Sequence, residues 1–138
     1  MRSRVIEPFS ERPFWQAWPG AWHPLCGSFG EMGWSFEWHD FESATQVEWG
    51  KSFHPLGLEV CLNLSGAGGL RAKKEELEVH PESAALYVCG ESPLSAWRAA
   101  GERHQFLTAE FSLDFLRRNL PRGLGQMRPF VQRLLEAK

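Results

Sequence analysis

Leu58-Glu-Val-Cys-Leu-Asn-Leu-Ser-Gly-Ala-Gly-Gly-Leu70 is the stretch that decides the fold. Side chains along a strand point alternately to its two sides, so Leu58, Val60, Leu62 and Leu64 share one face. The glycine cluster that follows suits a hairpin turn. Upstream, Trp34-Ser-Phe-Glu-Trp-His39 alternates in the same way, with Trp34, Phe36 and Trp38 on one face. Thr45, Val47 and Trp49 repeat the pattern after a short break. Downstream, Leu70–Ala72, Leu77–Val79 and Ala84–Cys89 read as short strands. Polar turns separate them at Lys73-Lys-Glu-Glu76, His80-Pro-Glu-Ser83 and Gly90-Glu-Ser-Pro93. Ser95–Ala99 and Arg103–Phe111 read as a hairpin around Ala100-Gly101; a two-residue loop would set Trp97 opposite His104. Short strands at this spacing predict an all-β sandwich or barrel.

The pattern changes at Ser112. Ser112 is a good N-cap, and Asp114 places negative charge in the first turn, where it complements the helix dipole. Leu113, Leu116 and Leu120 form one apolar stripe, and Pro121 ends the helix. Met127, Phe130, Val131, Leu134 and Leu135 follow the spacing of a second amphipathic helix, with Pro129 in its first turn. At the other end, residues 1–33 are rich in Pro, Gly and Trp. Pro and Gly punctuate regular structure, but Phe9, Phe14, Trp15, Trp18, Trp22 and Phe29 require a surface to pack on. The expected organisation is one structural domain: an arm over 1–33 packed on the barrel, a β-barrel over 34–111 and a helical hairpin over 112–138.

At 138 residues the chain is one domain by size. With 43% apolar residues it can bury a core without staples. Three cysteines, Cys26, Cys61 and Cys89, make an odd set with no Cys-x-x-Cys pair. They read as buried reduced thiols of a cytoplasmic protein rather than a disulfide framework. No apolar run approaches the roughly 20 residues of a membrane span, and no signal-peptide pattern opens the chain. The net charge of −2 hides an asymmetry: residues 1–111 carry −6 and residues 112–138 carry +4. The acidic strand region is a poor nucleic-acid surface, and the basic tail reads as the solvated faces of helices.

The five histidines form neither a His-x-His nor a His-x-x-x-His pair, so no metal site is expected. His104 and Glu110 share a strand face, but six residues, about 20 Å, separate them. The sequence has no nucleophile elbow, phosphate loop or dinucleotide fingerprint. No catalytic residue and no cofactor are assigned. Six of the seven tryptophans lie between Trp15 and Trp49. Tryptophan combines a large apolar area with an N–H donor, which suits binding pockets. Trp34, Trp38, Trp97 and His104 are therefore the ligand-binding candidates, expected on a shared interior face. Asn63 is a weaker candidate, since it points away from Leu62.

The stretch from Leu86 to Leu120 resembles the sensor half of AraC-type transcription regulators. Thr108-Ala-Glu-Phe-Ser-Leu-Asp-Phe-Leu116 is similar to that family's passage from barrel strand to helix. Leu58-Glu-Val-Cys-Leu-Asn-Leu-Ser-Gly-Ala-Gly68 resembles its strand and Gly-x-Gly turn. His80-Pro-Glu-Ser83 stands where the turn Pro-Gly-Asp is common, without the glycine. The resemblance covers about residues 34–138 and implies a cupin-like β-barrel, of the double-stranded β-helix type, followed by helices. It implies an effector-sensing and dimerisation domain rather than an enzyme, with an unknown small-molecule effector and a homodimer as partners. DNA contact is expected only through a C-terminal helix-turn-helix part outside this chain. Leu113, Leu116, Leu120, Phe130, Val131, Leu134 and Leu135 are the candidate dimer contacts. The rival readings are a small cupin-type enzyme, either an isomerase or a metal-dependent oxygenase, and a ligand-free interaction module.

Overall fold

The computed structural model describes residues 14–72, 75–91 and 94–120. Nine strands carry most of the described residues: β1 (His23–Ser28), β2 (Trp34–Glu42), β3 (Val47–Glu48), β4 (Gly57–Ser65), β5 (Gly68–Ala72), β6 (Glu75–Val79), β7 (Ser83–Cys89), β8 (Ser95–Arg98) and β9 (Arg103–Ser112). Two short helices, α1 (Phe29–Met32) and α2 (Leu113–Asn119), join them. The strands form two antiparallel sheets, ordered β1-β2-β9-β4-β7 and β3-β8-β5-β6. The core lies between the sheets, as the predicted barrel requires.

Alternation is present on β2 and β4 as the sequence predicted, but the inward face is the other one; Thr45, Val47 and Trp49 do not continue as a strand, since Trp49 opens a 3-10 turn after the short β3. On β2 the buried residues are Ser35, Glu37, His39 and Phe41, while Trp34, Phe36 and Trp38 are half-buried on the outer side. On β4, Glu59, Cys61 and Asn63 are buried, and Leu62 and Leu64 are exposed. The reason is volume. Small residues such as Gly57, Cys61, Ala85 and Thr108 line the inside of the five-stranded sheet. The space they leave is filled by Trp49 and Phe53, from the turn after β3, and by Phe106. Interiors pack to near-crystal density, so extra indole rings have no room there. The outer apolar face is partly covered by α2, whose Leu113 and Leu116 pack with Leu58 and against Leu86, Val88 and Phe111.

Three predicted connections differ. The glycines at 66–69 do not close a hairpin, because β4 and β5 belong to different sheets. They turn a corner between the sheets, and Gly66 (φ +86°) lies so close to the His104 ring that a Cβ there would overlap Nδ1. Ala100-Gly101 does not close a hairpin either, since β8 and β9 also lie in different sheets. Trp97 pairs with Gly69 and Glu48, not with His104. The stretch 1–33, predicted as an irregular arm, contributes β1 along the edge of β2. Glu75 and Glu76, predicted in a turn, begin β6.

Helix α2 starts where the sequence places it. The Ser112 hydroxyl accepts from Phe115 N–H at 3.0 Å, with Asp114 in the first turn and Arg117 and Arg118 in the last. The predicted second helix, with Met127, Phe130, Val131, Leu134 and Leu135, falls outside the described residues.

Candidate functional site

Strand register sets the site. Across β2, β9, β4 and β7 the inward residues form rows. The first row is Ser35, Glu110, Glu59 and Tyr87. The second is Glu37, Thr108, Cys61 and Ala85. The third is His39, Phe106 and Asn63, and the fourth is Phe41 and His104. Three buried carboxylates, those of Glu37, Glu59 and Glu110, thus collect at one end of the barrel. Directly opposed side chains lie about 4.5–5.5 Å apart at Cβ, so Glu59 and Glu110 meet as like groups.

Two like carboxyls in a dry site do not both ionise. Burial pushes Glu59 well above the usual carboxylate range, and the adjacent Glu110 adds to the effect by its charge and by a hydrogen bond. Both effects favour the neutral, protonated form of Glu59. The His54 ring lies in front of this row, with Nδ1 2.5 Å from Glu110 Oε2. Phe29 stacks flat on His54 at 4.1 Å. His54 keeps 22% of its side chain exposed, so the row touches the surface at this point. Burial also raises Tyr87, and the Glu59 charge reinforces that shift. The Ser35 and Thr108 hydroxyls are buried without a hydrogen-bond partner among the described residues.

The other end is cationic and aromatic. Arg98 projects from β8 and is 1% exposed. Its guanidinium lies 3.7 Å over the Phe106 ring and 5.5 Å from that of Trp49. One arm of it donates to Asn63 Oδ1 at 2.8 Å. Asn63 in turn donates to the carbonyls of Gly66 and His80. His39 stacks on Phe106 at 4.5 Å, and burial lowers its pKa and that of His104. Trp15 caps this end, 4.7 Å from His39 and 5.5 Å from Phe41 between ring centres.

The predicted site residues are therefore not gathered. His104 is fully buried inside and bonds the Ala99 carbonyl through Nε2 at 2.8 Å. Trp34 and Trp38 lie on the outer side of β2, and Trp97 faces outward on β8 under Arg71. The shared interior face expected for the four does not form, because their parity along the strands is opposite to that of His104. Asn63, the weaker candidate, lies inside. Glu37, Glu59 and Glu110 were missed, yet each is an acid flanked by apolar residues within a strand. Leu113 and Leu116 are buried against their own sheet, and Leu120 packs beside them. Of the cysteines, Cys61 and Cys89 are buried, with thiols pushed up to about 12 and about 11, while Cys26 is exposed. Among the described residues no three His, Cys, Asp or Glu side chains converge as metal ligands.

No protein-family model matches the chain, and no curated protein does. Solved structures do. A Cupin 2 conserved barrel domain protein from Salinispora arenicola aligns over 70% of this chain and 79% of its own, at 12% identity and TM-score 0.51. The fold is a cupin barrel. The Cnp3 cupin domain of Schizosaccharomyces pombe aligns over 72% of this chain and 70% of its own, at 8% identity and TM-score 0.50. The cupin_2 domain of an XRE family regulator from Enterobacter cloacae aligns over 65% and 93%, at 15% identity and TM-score 0.48. No helix among the described residues is long and apolar enough to cross a membrane.

Proposed function

We propose that this cupin domain senses a small-molecule effector and dimerises as part of an AraC-type transcriptional regulator in the cytoplasm. It is a binding module rather than an enzyme, and DNA is contacted by the helix-turn-helix part of such regulators. The observation that supports this reading is the seating of Trp15. The segment 14–22 lies against the core, with Trp15 and Ala21 buried and Phe14, Trp18 and Trp22 packed beside them. Trp15 thus acts as a plug made by the chain itself. An effector that binds the unplugged barrel more tightly than the plugged one shifts the balance between the two states. A shallow groove of about 300 Å³, lined by Trp15, Trp18, Pro19, Gly20 and Trp22, adjoins the plug.

A thermal-shift screen of small metabolites, read in parallel by tryptophan emission, tests the plug. An effector should raise the melting temperature and change an emission component that Trp15→Phe removes. A ligand that stabilises the protein with Trp15 emission unchanged contradicts it. Dimerisation is tested by mass in solution. Leu134→Lys with Leu135→Lys should halve the mass, and a folded variant of unchanged mass contradicts the dimer role.

A further inference from the structure

Two arginines of this barrel use the same side-chain edge differently. On the outer face, Arg103 turns Nε and Nη2 to Asp40 and holds both carboxylate oxygens, at 3.1 and 3.0 Å. Arg98, 1% exposed, turns its other edge to β4, where Cys61 and Asn63 stand two residues apart on the inward side. Nη1 donates to Asn63 Oδ1 at 2.8 Å, and Nη2 donates to Cys61 Sγ at 3.9 Å. Neither partner is a counter-charge, since burial pushes the Cys61 thiol up to about 12. Nε has no hydrogen-bond partner among the described residues, and Arg98 forms no ion pair with a carboxylate among them. The edge that Arg103 gives to Asp40 is thus without a carboxylate on Arg98. A buried cation with no counter-charge is costly. The surroundings of that edge are polar as well. Register sets Thr108 opposite Cys61, and the buried Thr108 hydroxyl has no partner among the described residues. Phe106, whose ring carries the guanidinium at 3.7 Å, is the neighbouring inward residue on β9. Glu37 lies in the Thr108 row one strand further from Arg98, on β2.

We propose that Arg98 and Thr108 form a carboxylate-binding site inside the barrel, and that the effector is a small monocarboxylate. One carboxylate oxygen accepts from Nε and the other from Nη2, the pairing that Arg103 makes with Asp40. The Thr108 hydroxyl donates to one of these oxygens. Phe106 and Trp49, packed on the guanidinium, give the site an apolar wall, so the rest of the ligand is apolar. Such a ligand brings the counter-charge that Arg98 lacks among the described residues, and a neutral molecule of the same shape does not. A dianion is disfavoured by the carboxylates at the other end of the barrel. This inference rests on the sensing role proposed above in one respect. The ligand enters past Trp15, which caps the same end of the barrel.

Calorimetric titration of the full chain with acetate and benzoate, each against its neutral amide, tests the site. At least one carboxylate should bind about tenfold or more tighter than acetamide or benzamide of matching shape. Arg98→Lys keeps the positive charge but removes the two-pronged edge, and should weaken carboxylate binding by about tenfold or more. Thr108→Val, of nearly the same shape, should weaken it by a few-fold. Equal binding of carboxylate and amide, no binding of either carboxylate, or a preference that survives in folded Arg98→Lys overturns the site. The wild-type comparison of carboxylate with amide decides even where a variant fails to fold. Tryptophan emission judges the plug separately. Carboxylate binding with Trp15 emission unchanged contradicts the plug and leaves the Arg98 site standing. An uncharged effector that changes Trp15 emission supports the plug and overturns the carboxylate site.

Discussion

The two ends of the barrel share strands β2, β4 and β9, yet they handle buried charge in opposite ways. The Glu37–Glu59–Glu110 end gathers acids, and burial beside Glu110 favours the neutral form of Glu59. The Arg98 end keeps its cation and spreads it over Phe106 and Trp49, with Asn63 as the polar partner. A carboxyl has a neutral form within reach of ordinary pH and a guanidinium does not, so each end uses the means its chemistry allows. The acid end is left responsive to protons. The cation end relies on ring packing.

The largest effect should come from breaking the cation end. Phe106 is fully buried and touches Arg98, His39 and Trp49 at once. Phe106→Ala should cost about 3–5 kcal/mol, measured by urea unfolding, because a cavity opens and Arg98 loses its platform. A loss near that of a surface change would show that the stack is not what carries Arg98. Next is Asn63→Ala, which strips a partner from Arg98 and from the carbonyls of Gly66 and His80. Its expected cost is about 2–3 kcal/mol in the same assay. Smallest is Asp40→Asn, which breaks the bidentate pair with Arg103 at 3.0 and 3.1 Å on the outside of the sheet. Water already surrounds that pair, so urea unfolding should not distinguish the variant from wild type. A clear loss would mean that outer-face charge matters as much as the interior.

Much of this barrel is legible in the sequence. Alternation in 34–42 and 58–65 marks β2 and β4, and Ser112 marks the start of α2 within one residue. Inside and outside are not legible, because both faces of these strands carry residues that bury well. On β2 one parity reads Trp, Phe, Trp and the other Ser, Glu, His, Phe. Hydrophobicity alone picks the first, whereas the volume left between two close sheets picks the second. The corner at Gly66 reads as a hairpin because glycines permit either path. What excludes the hairpin is the pairing of β5 with β8, 24 to 30 residues away in sequence and invisible to local pattern. The carboxylates had a signal in Glu37, Glu59 and Glu110, each flanked by apolar residues within its strand. Only the register, which sets Glu59 opposite Glu110, turns that signal into a site.

The pH dependence of stability, measured in wild type, Glu59→Gln and His39→Gln, tests the contrast most directly. Glu59 is raised above its ordinary 4.5 in the folded state, so its contribution is full below that value and is lost as pH rises toward the raised folded value. His39 is lowered from 6.5, so its contribution is present above 6.5 and is lost as pH falls through the lowered folded value. His104 is lowered in the same direction and adds to the acid side. Between about pH 5 and about pH 8, Glu59→Gln should lose less stability than wild type as pH rises, and His39→Gln should lose less as pH falls. A Glu59→Gln profile that declines with rising pH as steeply as wild type would contradict the claim that the carboxylate end favours the neutral form of Glu59.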